Sequence, residues 1–139
     1  MAKREELSKT TGLTMLGAGK TVPSRKLEAF PFKHSGNNTL VTFLCEEFSC
    51  VCPLTGQPDY ATLEISYEPL DHAIESKSLK NYLWSFRDTG VFHEDMVNRI
   101  LEDVWTFANP RYVRVLGHFN IRGGIAIVVE ASRGKASAR

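Results

Sequence analysis

Between Leu40 and Val129 the apolar residues change period twice, from two to about 3.6 and back to two. A pattern that fills one face of a strand does not fill one stripe of a helix, so the chain is neither an all-helical bundle nor an all-strand sandwich. Leu40 to Phe48 is β-branched and aromatic enough for a strand. Tyr60 to Glu68 alternates, with Ala61, Leu63, Ile65 and Tyr67 on one face and Thr62, Glu64 and Ser66 on the other. Pro53, Gly56 and Pro58 in the connection Ser49 to Asp59 turn the chain back, which predicts an antiparallel pair. Leu79, Tyr82, Leu83 and Phe86 then share one helical face, and Met96, Val97, Ile100, Leu101, Val104 and Phe107 or Ala108 repeat the signal over a longer stretch. Asp88-Thr89-Gly90 separates the two helices, Glu94 and Asp95 suit the positive end of the second, and Asn109-Pro110 stops it. Tyr112 to Phe119 alternates again, and Asn120-Ile121-Arg122-Gly123-Gly124 supplies a glycine turn before Ile125, Ile127 and Val129. The order ββααββ predicts an α+β fold: an antiparallel four-stranded sheet with two antiparallel helices on one face.

With 139 residues, 42% of them hydrophobic, the chain can close one core without staples. Residues 39–130 are expected to form the single domain. Residues 1–38, rich in Thr, Gly, Ser and Lys and broken by Pro23 and Pro31, read as an arm, and 131–139 as a small polar tail. The 17 Lys+Arg against 16 Asp+Glu leave a net charge of +1, too little field for a basic nucleic-acid-binding module. Apolar runs such as Ile125-Ala126-Ile127-Val128-Val129 fall far short of the ~20 residues that span a bilayer. Met1-Ala2-Lys3-Arg4-Glu5-Glu6 mixes both charges with no hydrophobic stretch behind it, unlike a secretory signal, so a cytoplasmic location is expected. Gly17-Ala18-Gly19-Lys20-Thr21 invites a phosphate-loop reading, but Thr14 stands where the first glycine belongs and Val22-Pro23 where a helix should open.

The candidate chemistry lies in Cys50-Val51-Cys52-Pro53-Leu54-Thr55-Gly56-Gln57-Pro58-Asp59. A turn at a sheet end exposes a thiol as a core position does not, and Asp59 returns to the same end, so Cys52 and Asp59 can pair as nucleophile and acid. The alternative is a packed cysteine and a turn-capping aspartate. Cys45, inside the first strand, reads as packing. Cys50 and Cys52 with His93 or His118 make a weak zinc pattern, since Cys-x-Cys is closer than the usual spacing and lacks a second pair, and no metal site is expected. Glu75-Ser76-Lys77-Ser78-Leu79-Lys80 opens the first helix: Ser76 or Ser78 can cap it, and its free N–H groups beside Lys77 and Lys80 suit a phosphate, or simply a solvated helix start. Glu94 can accept two N–H donors from a guanine-like ring edge or merely oppose the helix dipole.

Together, Phe48-Ser49-Cys50-Val51-Cys52-Pro53, Thr55-Gly56-Gln57-Pro58-Asp59, Glu75-Ser76-Lys77-Ser78-Leu79-Lys80, Phe92-His93-Glu94-Asp95, Pro110-Arg111-Tyr112 and Arg122-Gly123-Gly124 resemble the NADPH-dependent 7-cyano-7-deazaguanine reductases, the QueF-type nitrile reductases of queuosine biosynthesis, in their single-module form. The resemblance runs in order from about Leu13 to Val128. It implies a tunnelling fold, in which the sheets of several subunits join into a barrel, commonly as pentameric rings stacked in pairs with sites between subunits. It implies Cys52 as the nucleophile that forms a thioimide with the nitrile carbon, Asp59 as proton donor, and two NADPH molecules per amine formed. His93 and Glu94, aided by Ile74, Glu75 and Ser76, would hold the deazaguanine ring; Ser76, Lys77, Lys80, Arg122 and Gly123 would hold NADPH. Cys50 departs from the motif. Two other readings compete: a zinc-dependent cyclohydrolase or pterin-synthase relative on the same fold, and a purine-binding assembly without chemistry.

Overall fold

The structure is a computed structural model and describes residues 22–139. In chain order the elements are β1 (Ala29–Pro31), β2 (Val41–Val51), β3 (Pro58–Glu68), β4 (His72–Ile74), α1 (Ser76–Trp84), α2 (His93–Ala108), β5 (Tyr112–Arg122) and β6 (Ile125–Gly134). The glycine-rich segment 17–21 and the start of the expected arm lie outside the described residues.

The alternation in β3 does what its pattern requires: Ala61, Leu63, Ile65 and Tyr67 are all buried on the face that the helices cover. Around β3 the four long strands form one antiparallel sheet in the order β2-β3-β5-β6. Leu79, Tyr82, Leu83 and Phe86, together with Met96, Val97, Ile100, Leu101 and Val104, complete the core against Val113, Val115 and Phe119. The helices meet where the Tyr82 hydroxyl donates to Asp103 Oδ2 at 2.5 Å. No helix among the described residues is long and apolar enough to cross a membrane.

Three boundaries differ from the sequence reading. The stretch expected to be an arm contains β1, which pairs with β4 in a separate two-stranded sheet that strand periodicity is too short to reveal. Arg25 of the same stretch donates to Thr89 Oγ1 at 2.9 Å and stacks over the Phe86 ring at 3.8 Å, so it clamps the link between the helices. At the other end β6 runs on to Gly134, and Ser137 and Arg139 fold back to bond the buried carboxylate of Glu68, so the expected polar tail is partly sheet. The connection between the first two strands is also shorter than expected, because β2 continues to Val51 and β3 begins at Pro58. A proline is tolerated there because the first residue of a strand need not donate to the ladder.

Candidate active site

Strict alternation through Phe43 and Cys45 would aim Cys52 at the face away from the helices. It does not, because β2 carries a bulge between Cys45 and Phe48, at the exposed pair Glu46-Glu47. Beyond it the inward parity changes: Val41, Phe43 and Cys45 pack against the core, and then Phe48 and Cys50 are buried. The strand end is braced by the helix link. Val51 N–H donates to Thr89 O and Val91 N–H to Val51 O, both at 3.1 Å. Gly90 permits this approach, since a Cβ there would stand 3.1 Å from Pro53 Cα. The same brace delivers Phe92 and the first turn of α2 to the sheet end.

The turn after β2 is closed on itself, with Cys52 N–H donating to Gln57 O and Gly56 N–H to Cys52 O, each at 2.9 Å. Asp59 follows at the start of β3 and is only 3% exposed. Its charge is met from two sides: Arg122 Nη1 donates to Oδ1 at 2.6 Å, and His93 Nε2 stands 3.4 Å from Oδ2. Arg122 Nη2 also donates to Gln57 Oε1. The His93 ring is stacked on Phe119 with centroids 3.9 Å apart, and its Nδ1 is buried with no partner among the described residues. A second bulge, between Phe119 and Arg122, precedes a two-residue turn in which Gly123 and Gly124 both take positive φ (58° and 81°). Cys52, Asp59, His93 and Arg122 therefore share one end of the sheet, though they come from three separate stretches of chain: the β2–β3 hairpin, the start of α2 and the end of β5.

The two neighbouring thiols are opposites. Hydrogen bonds from the Thr55 hydroxyl, then from the backbone N–H groups of Thr55 and Leu54, with the charge of Arg122 added, bring the Cys52 thiol down to about 7. Burial, and then the charge of Asp59, push the Cys50 thiol up to about 11. Cys52 is partly exposed while Cys50 is closed off, so Cys50 is a packing residue and does not suit a thiolate metal ligand. Cys45 is half-buried and its thiol is also raised by burial.

Residues 74–80 form a second set, at the head of α1. Neither Ser76 nor Ser78 is the cap. Glu75 is: its carboxylate accepts from Lys77 N at 2.7 Å and Ser78 N at 2.8 Å, and these bonds hold it below the usual carboxylate range. The N–H groups expected to be free for a phosphate are thus already taken by the chain itself. Ser78 Oγ instead accepts from Glu28 N–H at 2.9 Å, and Ile74 N–H donates to the Tyr67 hydroxyl at 2.8 Å. Ser76, Lys77 and Lys80 are exposed, with Lys80 beside Glu46, Glu47 and Trp84 in an open groove of about 530 Å³ between β2 and α1. Glu94 is exposed on the first turn of α2, where its backbone carbonyl accepts from Asn98.

The family model described as QueF-like protein matches residues 58–138. A protein of Syntrophus aciditrophicus named NADPH-dependent 7-cyano-7-deazaguanine reductase is 54% identical over 127 residues, 91% of this chain and 88% of its own. Proteins of the same name from Anaeromyxobacter dehalogenans (49%; 85% of this chain, 97% of theirs) and Neisseria meningitidis (49%; 90% and 83%) are similar as well. The chain belongs to the family of NADPH-dependent 7-cyano-7-deazaguanine reductases. Among solved structures, the crystal structure of the archaeosine synthase QueF-Like in the apo form superposes with a TM-score of 0.65 at 26% identity, covering 70% of this chain and 96% of that one.

In this reductase family member Cys52, Asp59, His93 and Arg122 stand out in the sequence, but what joins them does not. The pairing of Arg122 with Asp59, the Phe119 ring under His93 and the brace at Gly90 all depend on contacts between distant stretches. Only Gly90 left a trace, as a glycine in the helix break, and that signal is shared by any turn.

Proposed function

We propose that this chain catalyses the reaction its relatives are named for, the NADPH-dependent reduction of 7-cyano-7-deazaguanine, giving 7-aminomethyl-7-deazaguanine in queuosine biosynthesis, and that it does so through a covalent thioimide on Cys52. One observation carries the reading: an open thiol brought down to about 7 stands on a turn that is tied by hydrogen bonds to a buried, paired carboxylate.

The Cys52 sulfur adds to the nitrile carbon, so a C–S bond forms, one C–N π bond breaks and its electron pair moves to nitrogen. Asp59 takes the thiol proton and passes it to that nitrogen, leaving the thioimide and restoring the carboxylate. Bound NADPH supplies hydride, and reduction of a nitrile to an amine needs two hydrides, hence two NADPH in succession. The chain offers residues that fit this cofactor. Lys77 and Lys80 are exposed and carry no ion pair among the described residues, and a Cβ at Gly123 or Gly124 would meet nothing within 4 Å, so the hairpin backbone beside Arg122 is open to a phosphate. Ser76 joins this set. His93, with Nδ1 unpartnered, and Glu94 hold the deazaguanine ring, aided by Ile74, Ser76 and Glu75 at the head of α1.

The sheet has two open edges, β2 and β6, with Leu44 exposed on the first and Ile125 and Val128 on the second. The tunnelling fold, in which subunit sheets join into a barrel as pentameric rings stacked in pairs, covers such edges. A cytoplasmic enzyme of this kind meets its NADPH in the reduced pool.

The test is NADPH oxidation followed by absorbance on adding 7-cyano-7-deazaguanine, with the amine identified by mass. Two NADPH consumed per amine, and none by Cys52→Ala, is the expected result. Undiminished NADPH oxidation by Cys52→Ala overturns the covalent route, and a folded native chain without turnover overturns the reaction.

A further inference from the structure

At the sheet end, hydrogen bonds tie the Asp59 carboxylate, by way of Arg122 and Gln57, to the backbone of the Cys52 turn. Asp59 Oδ1 accepts from Arg122 Nη1, Arg122 Nη2 donates to the Gln57 side chain, and the Gln57 backbone carbonyl accepts from Cys52 N–H at 2.9 Å. A planar guanidinium with two diverging donors can hold a carboxylate and an amide oxygen at once in fixed relative positions, which an ammonium cannot. The bulge between Phe119 and Arg122 breaks the β5 register immediately before this residue, as bulges do where a side chain is re-aimed. Arg122 itself is only partly covered, while its partner carboxylate is closed off.

We propose that Arg122 is a positioning residue for the first, cofactor-independent step: its guanidinium fixes the Asp59 carboxylate relative to the Cys52 turn, so that the thiol proton reaches Asp59 and then the nitrile nitrogen as the C–S bond forms. This rests on the reading of Cys52 as nucleophile, and it gives Arg122 a task separate from any phosphate it contacts later. The alternative, that Arg122 serves only the cofactor, leaves the first step untouched when Arg122 is changed.

The two are separated by measuring covalent adduct formation between the protein and 7-cyano-7-deazaguanine, by mass and absorbance, with no NADPH added. At saturating nitrile, Arg122→Met is expected to slow adduct formation by about 10- to 100-fold, the usual effect of misplacing a proton-transfer group. Arg122→Lys keeps the charge without the fork and is expected to recover only part of that loss. It also serves as the decisive variant if Arg122→Met does not fold. In an Asp59→Asn background, Arg122→Lys should cost little more, because the residue acts through Asp59. Adduct formation at the native rate in either single variant overturns the proposal, as does a full additional loss in the Asp59→Asn background. A native chain that forms no adduct at all overturns the reading of Cys52 and this proposal with it, and that outcome is visible before any variant is compared.

Discussion

Cys50 and Asp59 are cross-strand partners one step from the end of the β2–β3 ladder, and Cys52 stands two residues beyond Cys50 on the same strand end. This spacing puts one thiol inside the sheet, against the acid, and the other outside it. Burial and the Asp59 charge take Cys50 up to about 11, whereas the hydrogen bonds of its own turn take Cys52 down to about 7.

Alkylation of the native protein with iodoacetamide should therefore label one cysteine. The rate at Cys52 should rise with pH through a midpoint near 7, because only the thiolate reacts and its fraction grows as the proton is lost. At pH 7 Cys50 would hold about one thiolate in ten thousand even if reagent reached it. Peptide mass mapping checks this, and equal labelling of Cys50 and Cys52 in the folded chain would contradict it.

Asp59→Asn keeps an oxygen for Arg122 and the volume of the side chain but cannot carry the proton. Turnover is expected to fall by about 10²- to 10⁴-fold with the melting temperature little changed. Steady-state rates beside a thermal melt make the comparison, and a loss of folding in step with the loss of rate would show Asp59 to be structural.

Glu75 should reveal itself in stability before it does so in binding. Its folded value is held below the ordinary carboxylate range by the N–H groups of Lys77 and Ser78. The cap is therefore in full force above the unfolded value and fades as pH falls through the lower folded one. Glu75→Ala should melt below the native chain at neutral pH, and the gap should narrow in acid. Melting curves at several pH values measure it, and a gap independent of pH would rule out the charged cap.

Gly90→Ala introduces a Cβ 3.1 Å from Pro53 Cα, so the turn that carries Cys52 must shift by a few tenths of an ångström. The expected result is a fall of about 10-fold in kcat with the secondary structure retained. Circular dichroism and initial rates together test it; an unchanged kcat would mean the brace does not position the thiol.

Tyr67→Phe removes the hydroxyl that accepts from Ile74 N–H at 2.8 Å in a fully buried place. An orphaned buried donor costs about 1–3 kcal/mol, which urea denaturation would read as a lowered midpoint with the same slope. This bond ties β4 to the large sheet, so the head of α1 should loosen with it.

The long strands and helices were legible because each turns one apolar face toward the core. Ala61, Leu63, Ile65 and Tyr67 announce β3, and Leu79, Tyr82 and Leu83 announce α1, through periods that local geometry alone imposes. The motifs around Cys52, Asp59, His93 and Arg122 were legible for the same local reason, as short runs of distinctive residues. What no local pattern carries is where parity is broken. The bulge at Glu46-Glu47 turns Cys50 inward, the end of the ladder at Val51 and Pro58 leaves Cys52 in the turn beyond it, and the bulge before Arg122 accompanies its placement on Asp59. Bulges, the β1–β4 pairing and the capping of α1 by Glu75 rather than by its serines are settled by which distant backbone groups find partners, and that is decided only when the whole sheet closes. Sequence alone thus determined the long elements and the candidate residues, Cys52 among them, while tertiary structure decided that Cys50 is closed off and that Arg122 holds Asp59, because hydrogen-bond satisfaction across the sheet is a property of the closed fold rather than of any segment.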